Sequence, residues 1–169
     1  EVSGGELQRV SIARAIALQP KLLICDEATS ALDVSIQKDI IELIQEHQKE
    51  SGFSILFICH DLALVESFCD VVAVMYMGRI VEIMRSGCLR KDALHPYTKA
   101  LLESVFNVHD SRGKISVLQG EPSSLIDLPA GCHFCERCKY RTSRCEAEVP
   151  VLYEVSEGHW VVCHLLKDG

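Results

Sequence analysis

The chain has 169 residues, 48% of them hydrophobic, nine cysteines and a formal net charge of −7. No apolar run approaches the ~18 residues that span a bilayer, and the acidic balance argues against broad non-specific binding to nucleic acid. That length leaves room for one domain, or for one partial domain with a small appendage.

Ser3 is placed to cap a helix in which Leu7, Val10, Ala13, Ala17 and Leu18 recur at helical spacing, up to Pro20. Lys21 to Cys25 reads as a short buried strand. Asp33 can cap a second helix whose face is Ile36, Ile40, Leu43, Ile44 and His47 and which Gly52 stops. Phe53 to Cys59 is a second continuous apolar strand and Leu62 to Phe68 a short helix. Val71 to Met75 is a third strand, which turns at Met77-Gly78 into Arg79 to Glu82. Continuous apolar strands alternating with amphipathic helices predict a parallel sheet covered on both faces. Beyond residue 83 the alternation fades, apart from a helix from Pro96 to Phe106. The Gly-, Pro- and Ser-rich stretch from Ser111 to Gly131 reads as linker, and a Cys-rich unit follows.

Chemistry-bearing residues gather at strand ends and helix starts, where ligands of open α/β sheets bind. Ser3, Gly4 and Gly5 open a helix, whose unpaired N–H groups and positive dipole end suit a phosphate. A plain capped helix would look the same. Asp26 ends an apolar strand, where a carboxylate can hold Mg²⁺, and Glu27 beside it can orient and polarise a water. Asp33 is a helix cap, a contributor to a site, or both. His60 ends the next strand, where a neutral imidazole can bond a phosphate and a water.

In order, Ser3-Gly4-Gly5-Glu6, Leu22 to Glu27, Ser30-Ala31-Leu32-Asp33 and Cys59-His60-Asp61 resemble the signature, Walker B, D-loop and switch histidine of the ABC-type ATPases. Val2 and Glu6 are mild departures from that pattern, which usually has Leu and Gln there. The resemblance implies an α/β fold, the C-terminal half of an ABC-type nucleotide-binding domain, with ATP and Mg²⁺ as ligands. Glu27 and His60 would be catalytic, and Ser3, Gly4, Gly5, Asp26 and Asp33 would contact nucleotide, metal or the dimer interface. Ser3 to Gly5 would serve the nucleotide held by the opposite subunit. No G-x-x-x-x-G-K-[ST] loop occurs and the sequence starts at Glu1, so the expectation is a fragment that binds and hydrolyses ATP poorly by itself.

Leu94-His95-Pro96-Tyr97-Thr98, followed by Lys99, Ala100 and Leu101, narrows the resemblance to the importer ATPases for oligopeptides, dipeptides and nickel. So does Gly131-Cys132-x-Phe134-x-x-Arg137-Cys138, with Cys145, Pro150, Gly158-His159 and Cys163-His164 beyond it. In that family the cysteines matching Cys132, Cys138, Cys145 and Cys163 are proposed ligands of a [4Fe–4S] cluster in some members. Cys135 departs from the pattern and makes Cys-x-x-Cys-x-x-Cys, which resembles the start of a ferredoxin loop. Zinc is the rival metal, with His133, His159 and His164 close by in sequence. A metal-free reduced loop and a basic patch around Arg137, Lys139, Arg141 and Arg144 also fit.

The organisation expected is a partial ATPase domain over 1–83, an extension and linker over 84–131, and a Cys-rich module over 132–169. The function implied is the ATP-hydrolysing subunit of an importer for peptides or related solutes. Its partners would be a second ATPase subunit, as homo- or heterodimer, two membrane-spanning permease subunits and an external solute-binding protein, with no nucleic acid. It would work at the cytoplasmic face of a prokaryotic membrane. The rival is a soluble ABC-type ATPase with a zinc module acting on nucleic acid.

Overall fold

Two units divide the chain after Phe68, in a computed structural model that describes residues 3–30, 32–106 and 128–166. In the first unit, Glu1–Phe68, helix α1 (Gly4–Ile16) begins with a capping box. The Ser3 hydroxyl accepts from the Glu6 backbone N–H, and the Glu6 carboxylate accepts from the Ser3 N–H at 2.8 Å. The helix buries Gly5 and Ile12, two turns apart, whereas Leu7 and Val10 of the predicted face are 57% and 65% exposed. Close approach to the second helix explains the rotation, since a Cβ on Gly5 would lie 2.9 Å from Ile36 Cγ2.

Strands β1 (Leu22–Asp26) and β2 (Ser54–Ile58) pair in parallel, from Leu22 opposite Ser54 to Asp26 opposite Ile58. Helix α2 (Val34–Ser51) connects them and ends at Gly52, whose φ of 72° supplies the left-handed cap. Ile40 and Ile44, fully buried, meet Ile12 of α1 and the inward Leu23 and Cys25 of β1. Both helices therefore cover one side of the sheet. The other side shows Leu22, Ile24, Leu56 and Ile58, each 44–58% exposed, so the prediction of two covered faces holds for one among the described residues. Helix α3 (Leu62–Phe68) starts at Asp61, whose Oδ1 accepts from the N–H groups of Ala63 and Leu64.

The second unit, Cys69–Gly169, is antiparallel. Strands β3 (Val71–Tyr76) and β4 (Arg79–Arg85) form a hairpin closed by Met77 and Gly78, with φ of 46° and 74°. A two-residue turn with positive φ at both positions fits antiparallel neighbours. This overturns the expectation that Val71 to Met75 extends the parallel sheet. Short strands β5 (Tyr153–Ser156) and β6 (His159–Val161) complete the order β3-β4-β6-β5. One face buries Val72, Val74, Tyr76, Glu82, Met84 and Val161. Beside the strands lie α4 (Leu89–Asp92), α5 (Pro96–Phe106) and α6 (Ser143–Ala147). The predicted linker lies for the most part outside the described residues. Among the described residues no helix is long and apolar enough to cross a membrane.

Candidate active site

The parallel strands deliver their polar ends to one place. Inward residues of β1 anchor the strand in the core, and the chain then leaves the sheet at exposed Asp26 and Glu27. Glu27 has a φ of 45°, unusual for a residue with a side chain. Its N–H donates to the Ile58 carbonyl at 2.9 Å, and its own carbonyl accepts from the Ser30 N–H and hydroxyl. These bonds hold the strained residue in register with the end of β2, an arrangement found where function fixes a side chain. His60 lies two residues beyond the end of β2, and its Nδ1 lies 3.6 Å from Glu27 Oε1. The two side chains are 75% and 58% exposed, so a ligand can reach both. Of the residues predicted for catalysis, both are thus brought together by the fold.

Ser3, Gly4 and Gly5 do open a helix, as expected, and the polar contacts of Ser3 go to Glu6. The Ser3 N–H is the largest influence holding the Glu6 carboxyl below its usual range, and the Ser3 hydroxyl adds to it. Asp33 occupies the cap position of α2, but its side chain makes no capping bond there. The start of α2 is held instead by Gln37, whose side chain donates to the carbonyl of buried Thr29 at 2.7 Å. Asp33 is thereby left exposed with its carboxylate available.

The Cys-rich segment belongs to the second unit. Cys132, Cys135 and Cys138 follow one another on successive turns, Cys135 N–H donating to Cys132 and Cys138 N–H to Cys135. Cys132 N–H also donates to the Cys145 carbonyl at 2.8 Å. Gly131 permits that approach, because a Cβ there would stand 2.2 Å from the same carbonyl oxygen. Burial pushes the Cys132 thiol up to about 11, with Cys145, Cys163 and Cys135 adding to the effect. Burial also raises the thiols of Cys138 and Cys163, and Cys145 again contributes. The thiols thus share a neighbourhood. Among the described residues, however, no three or more His, Cys, Asp or Glu side chains are arranged to hold a metal ion. The set Cys132, Cys138, Cys145 and Cys163 is not assembled as a coordination site. The backbones of Cys132, Cys138 and Cys145 are closed into turns, and two of the nearby histidines are engaged elsewhere: His159 with Glu82 and His164 with the Glu148 carbonyl.

In the sequence Glu82 reads as the last residue of a strand, with no functional assignment. It is fully buried within β4, and its carboxylate accepts from the N–H groups of Leu94 and His95 and meets His159 Nε2 at 2.8 Å. A charged residue inside the apolar run Ile80 to Met84 was the available signal.

Comparison with known proteins agrees with this architecture. Residues 81–145 match the family described as oligopeptide/dipeptide transporter, C-terminal region, and residues 1–30 match the ABC transporter family. The y4tS peptide ABC transporter ATP-binding protein of Sinorhizobium fredii is 47% identical over 98% of the chain and 47% of its own length. The oligopeptide transport ATP-binding protein AppF of Bacillus subtilis is 45% identical over 98% of the chain and 51% of its own length. The chain spans about half the length of these curated relatives. The crystal structure of an ABC transporter ATP-binding cassette in its ADP conformation is similar over 60% of the chain and 40% of its own, with a TM-score of 0.52 and 28% identity. The alternative of an ATPase acting on nucleic acid finds no support in these matches. By sequence and by fold, the chain belongs to the ABC transporter ATP-binding proteins of the oligopeptide/dipeptide type.

Proposed function

We propose that the chain supplies the hydrolytic half-site of an ATPase subunit that energises import of peptides or related solutes. The observation that carries this reading is the Glu27–His60 pair, 3.6 Å apart and exposed at the ends of adjacent parallel strands. Glu27 acts as the base that orients and deprotonates the attacking water. His60 donates to the phosphate from the nitrogen not facing Glu27 and so reports that the phosphate is in place. Asp26, ending β1, is the residue to hold Mg²⁺, which when bound neutralises phosphate charge. Gly4 and Gly5 present helix-start N–H groups to the nucleotide of a partner subunit, Ser3 reaches it on exchanging its Glu6 contacts for the phosphate, and exposed Asp33 contributes to that interface. The relatives' names support transport, and the partners follow from it: a second ATP-binding subunit, two permease subunits and an external solute-binding protein, with the chain at the cytoplasmic face of the membrane.

In the full-length protein, Glu27→Gln is expected to cut ATP turnover by ~10²–10⁴-fold while ATP is still bound and retained. Steady-state hydrolysis and nucleotide retention measure this, and turnover at the normal rate removes Glu27 from the mechanism. A metal held by Cys132, Cys138, Cys145 and Cys163 is a separate proposal. It rests on the resemblance and on the shared neighbourhood of the thiols, with no coordination geometry behind it, and no step of hydrolysis passes through it. Iron, zinc and acid-labile sulfide content of protein purified without oxygen decides it.

A further inference from the structure

Phe134 lies in the middle of the Cys-x-x-Cys-x-x-Cys run and is 3% exposed, among the most buried side chains of the second unit. Its ring sits among three others: Tyr76 at 5.2 Å in edge-to-face contact, Tyr97 at 5.5 Å and His95 at 5.8 Å. Two of these belong to the His95-Pro96-Tyr97 segment, which is itself held from below. Glu82 accepts from the Leu94 and His95 N–H groups, at 2.7 and 3.2 Å. His95 Nδ1 accepts from the Tyr97 N–H and caps α5 from its own start, while the ring also bonds the backbone of Val162. Glu82 meets His159 of β6 as well, so one carboxylate fixes both the segment and the strand that leads to Cys163. A polar network of this kind holds its shape because every member that loses its partner is left unsatisfied in a dry place.

We propose that Leu94 to Tyr97 forms a seat for Phe134, and that seating of this ring withholds the buried thiols of Cys135, Cys145 and Cys163 from thiophilic reagents. The ring is the side chain of the Cys-rich run that enters the aromatic cluster, flanked in sequence by Cys132 on one side and Cys135 on the other. Cys135, Cys145 and Cys163 are buried with it. A cavity of about 20 Å³, lined by Val81, His95, Cys132 and Phe134 among others, adjoins the ring and leaves room for about one water, so the seat is filled but not tightly. The device is a latch: with the ring in, Cys135, Cys145 and Cys163 are covered, and with the ring out they join the half-buried Cys132 and Cys138 in reach of solvent. It is independent of the ATPase reading, since it uses none of the residues assigned to hydrolysis.

The test is the rate at which each cysteine of the whole chain reacts with a maleimide, mapped by mass spectrometry. Phe134→Ala is expected to speed labelling of Cys135, Cys145 and Cys163 by ~10-fold or more, the order of effect that removing a buried aromatic has on a local opening equilibrium. Cys25 and Cys59 of the first unit are expected to keep their rates and serve as internal controls. Unchanged labelling of the segment overturns the proposal. If all the cysteines accelerate together in Phe134→Ala, the milder Phe134→Leu decides: acceleration confined to residues 132–163 supports the latch, and uniform or absent acceleration overturns it.

Discussion

The two units each contain a glutamate facing a histidine, and the pairs differ in almost everything else. Glu27 and His60 stand 3.6 Å apart with 58% and 75% of their side chains exposed. Glu82 and His159 stand 2.8 Å apart with 0% and 10% exposed. The first pair is too long for a good hydrogen bond and open to solvent, which leaves both groups free to take up a substrate. The second has spent its capacity on the fold, because a buried carboxylate survives only when donors surround it, and Glu82 has three. Chemistry of one kind is thus left open to solvent where the strand ends in water and becomes architecture where the strand runs through a core.

Exchanging the losses breaks the comparison most sharply. Glu82→Ala removes the acceptor of two buried N–H groups and of His159 at once, and is expected to cost about 3–5 kcal/mol of stability, the range for breaking one side of a buried ion pair. Glu27→Gln, which removes the proposed base, is expected to change stability by no more than about 0.5 kcal/mol, as for an exposed substitution. Denaturant unfolding of both variants checks this, and equal costs would mean that the exposed pair is structural too.

Acidification acts on the second unit through His95. Burial lowers His95 from 6.5 to about 4, so between those values the unfolded chain binds a proton that the folded chain refuses. Stability therefore falls as pH drops through that window and is restored as it rises, with a total of about 3 kcal/mol from one group shifted by this amount. Protonation also takes away the Nδ1 lone pair that caps α5 through the Tyr97 N–H. Unfolding midpoints followed from pH 7 to pH 4 are expected to show this loss in the wild type and much less of it in His95→Gln.

Much of the first unit was readable because its signals are local. The capping box at Ser3, the stop at Gly52 and the polar residues that end β1 and β2 each depend on a few neighbouring residues. What failed there was long-range: Leu7 and Val10 keep helical spacing, yet the approach of Gly5 to Ile36 decides which side faces in. In the second unit the interactions that matter join residues far apart. Glu82 looked like the end of a strand because a charge in an apolar run usually is, and its partner His159 lies 77 positions away. Strands β5 and β6 have four and three residues, too few for a period to show. The His95-Pro96-Tyr97 segment was recognisable as a resemblance, but its work as a seat depends on rings contributed by Tyr76 and Phe134.

The smallest effects separate two acidic or hydroxyl residues that occupy the same kind of position. Ser3 caps α1 through its side chain, and Ser3→Ala is expected to cost about 1 kcal/mol of stability, the usual worth of such a cap. Asp33 stands at the cap of α2 without making the bond, so Asp33→Ala should cost less than about 0.5 kcal/mol. The side chain that holds that turn is Gln37 on the Thr29 carbonyl, which the substitution leaves alone. The Asp33 carboxylate, exposed and making no capping bond, is open to a partner from outside the unit. If Asp33→Ala lowers ATP turnover of the full-length protein while the unfolding midpoint stays put, the residue works at a subunit interface. If instead it destabilises as much as Ser3→Ala and leaves turnover alone, the carboxylate reaches the helix start in solution and Asp33 is a cap like Ser3.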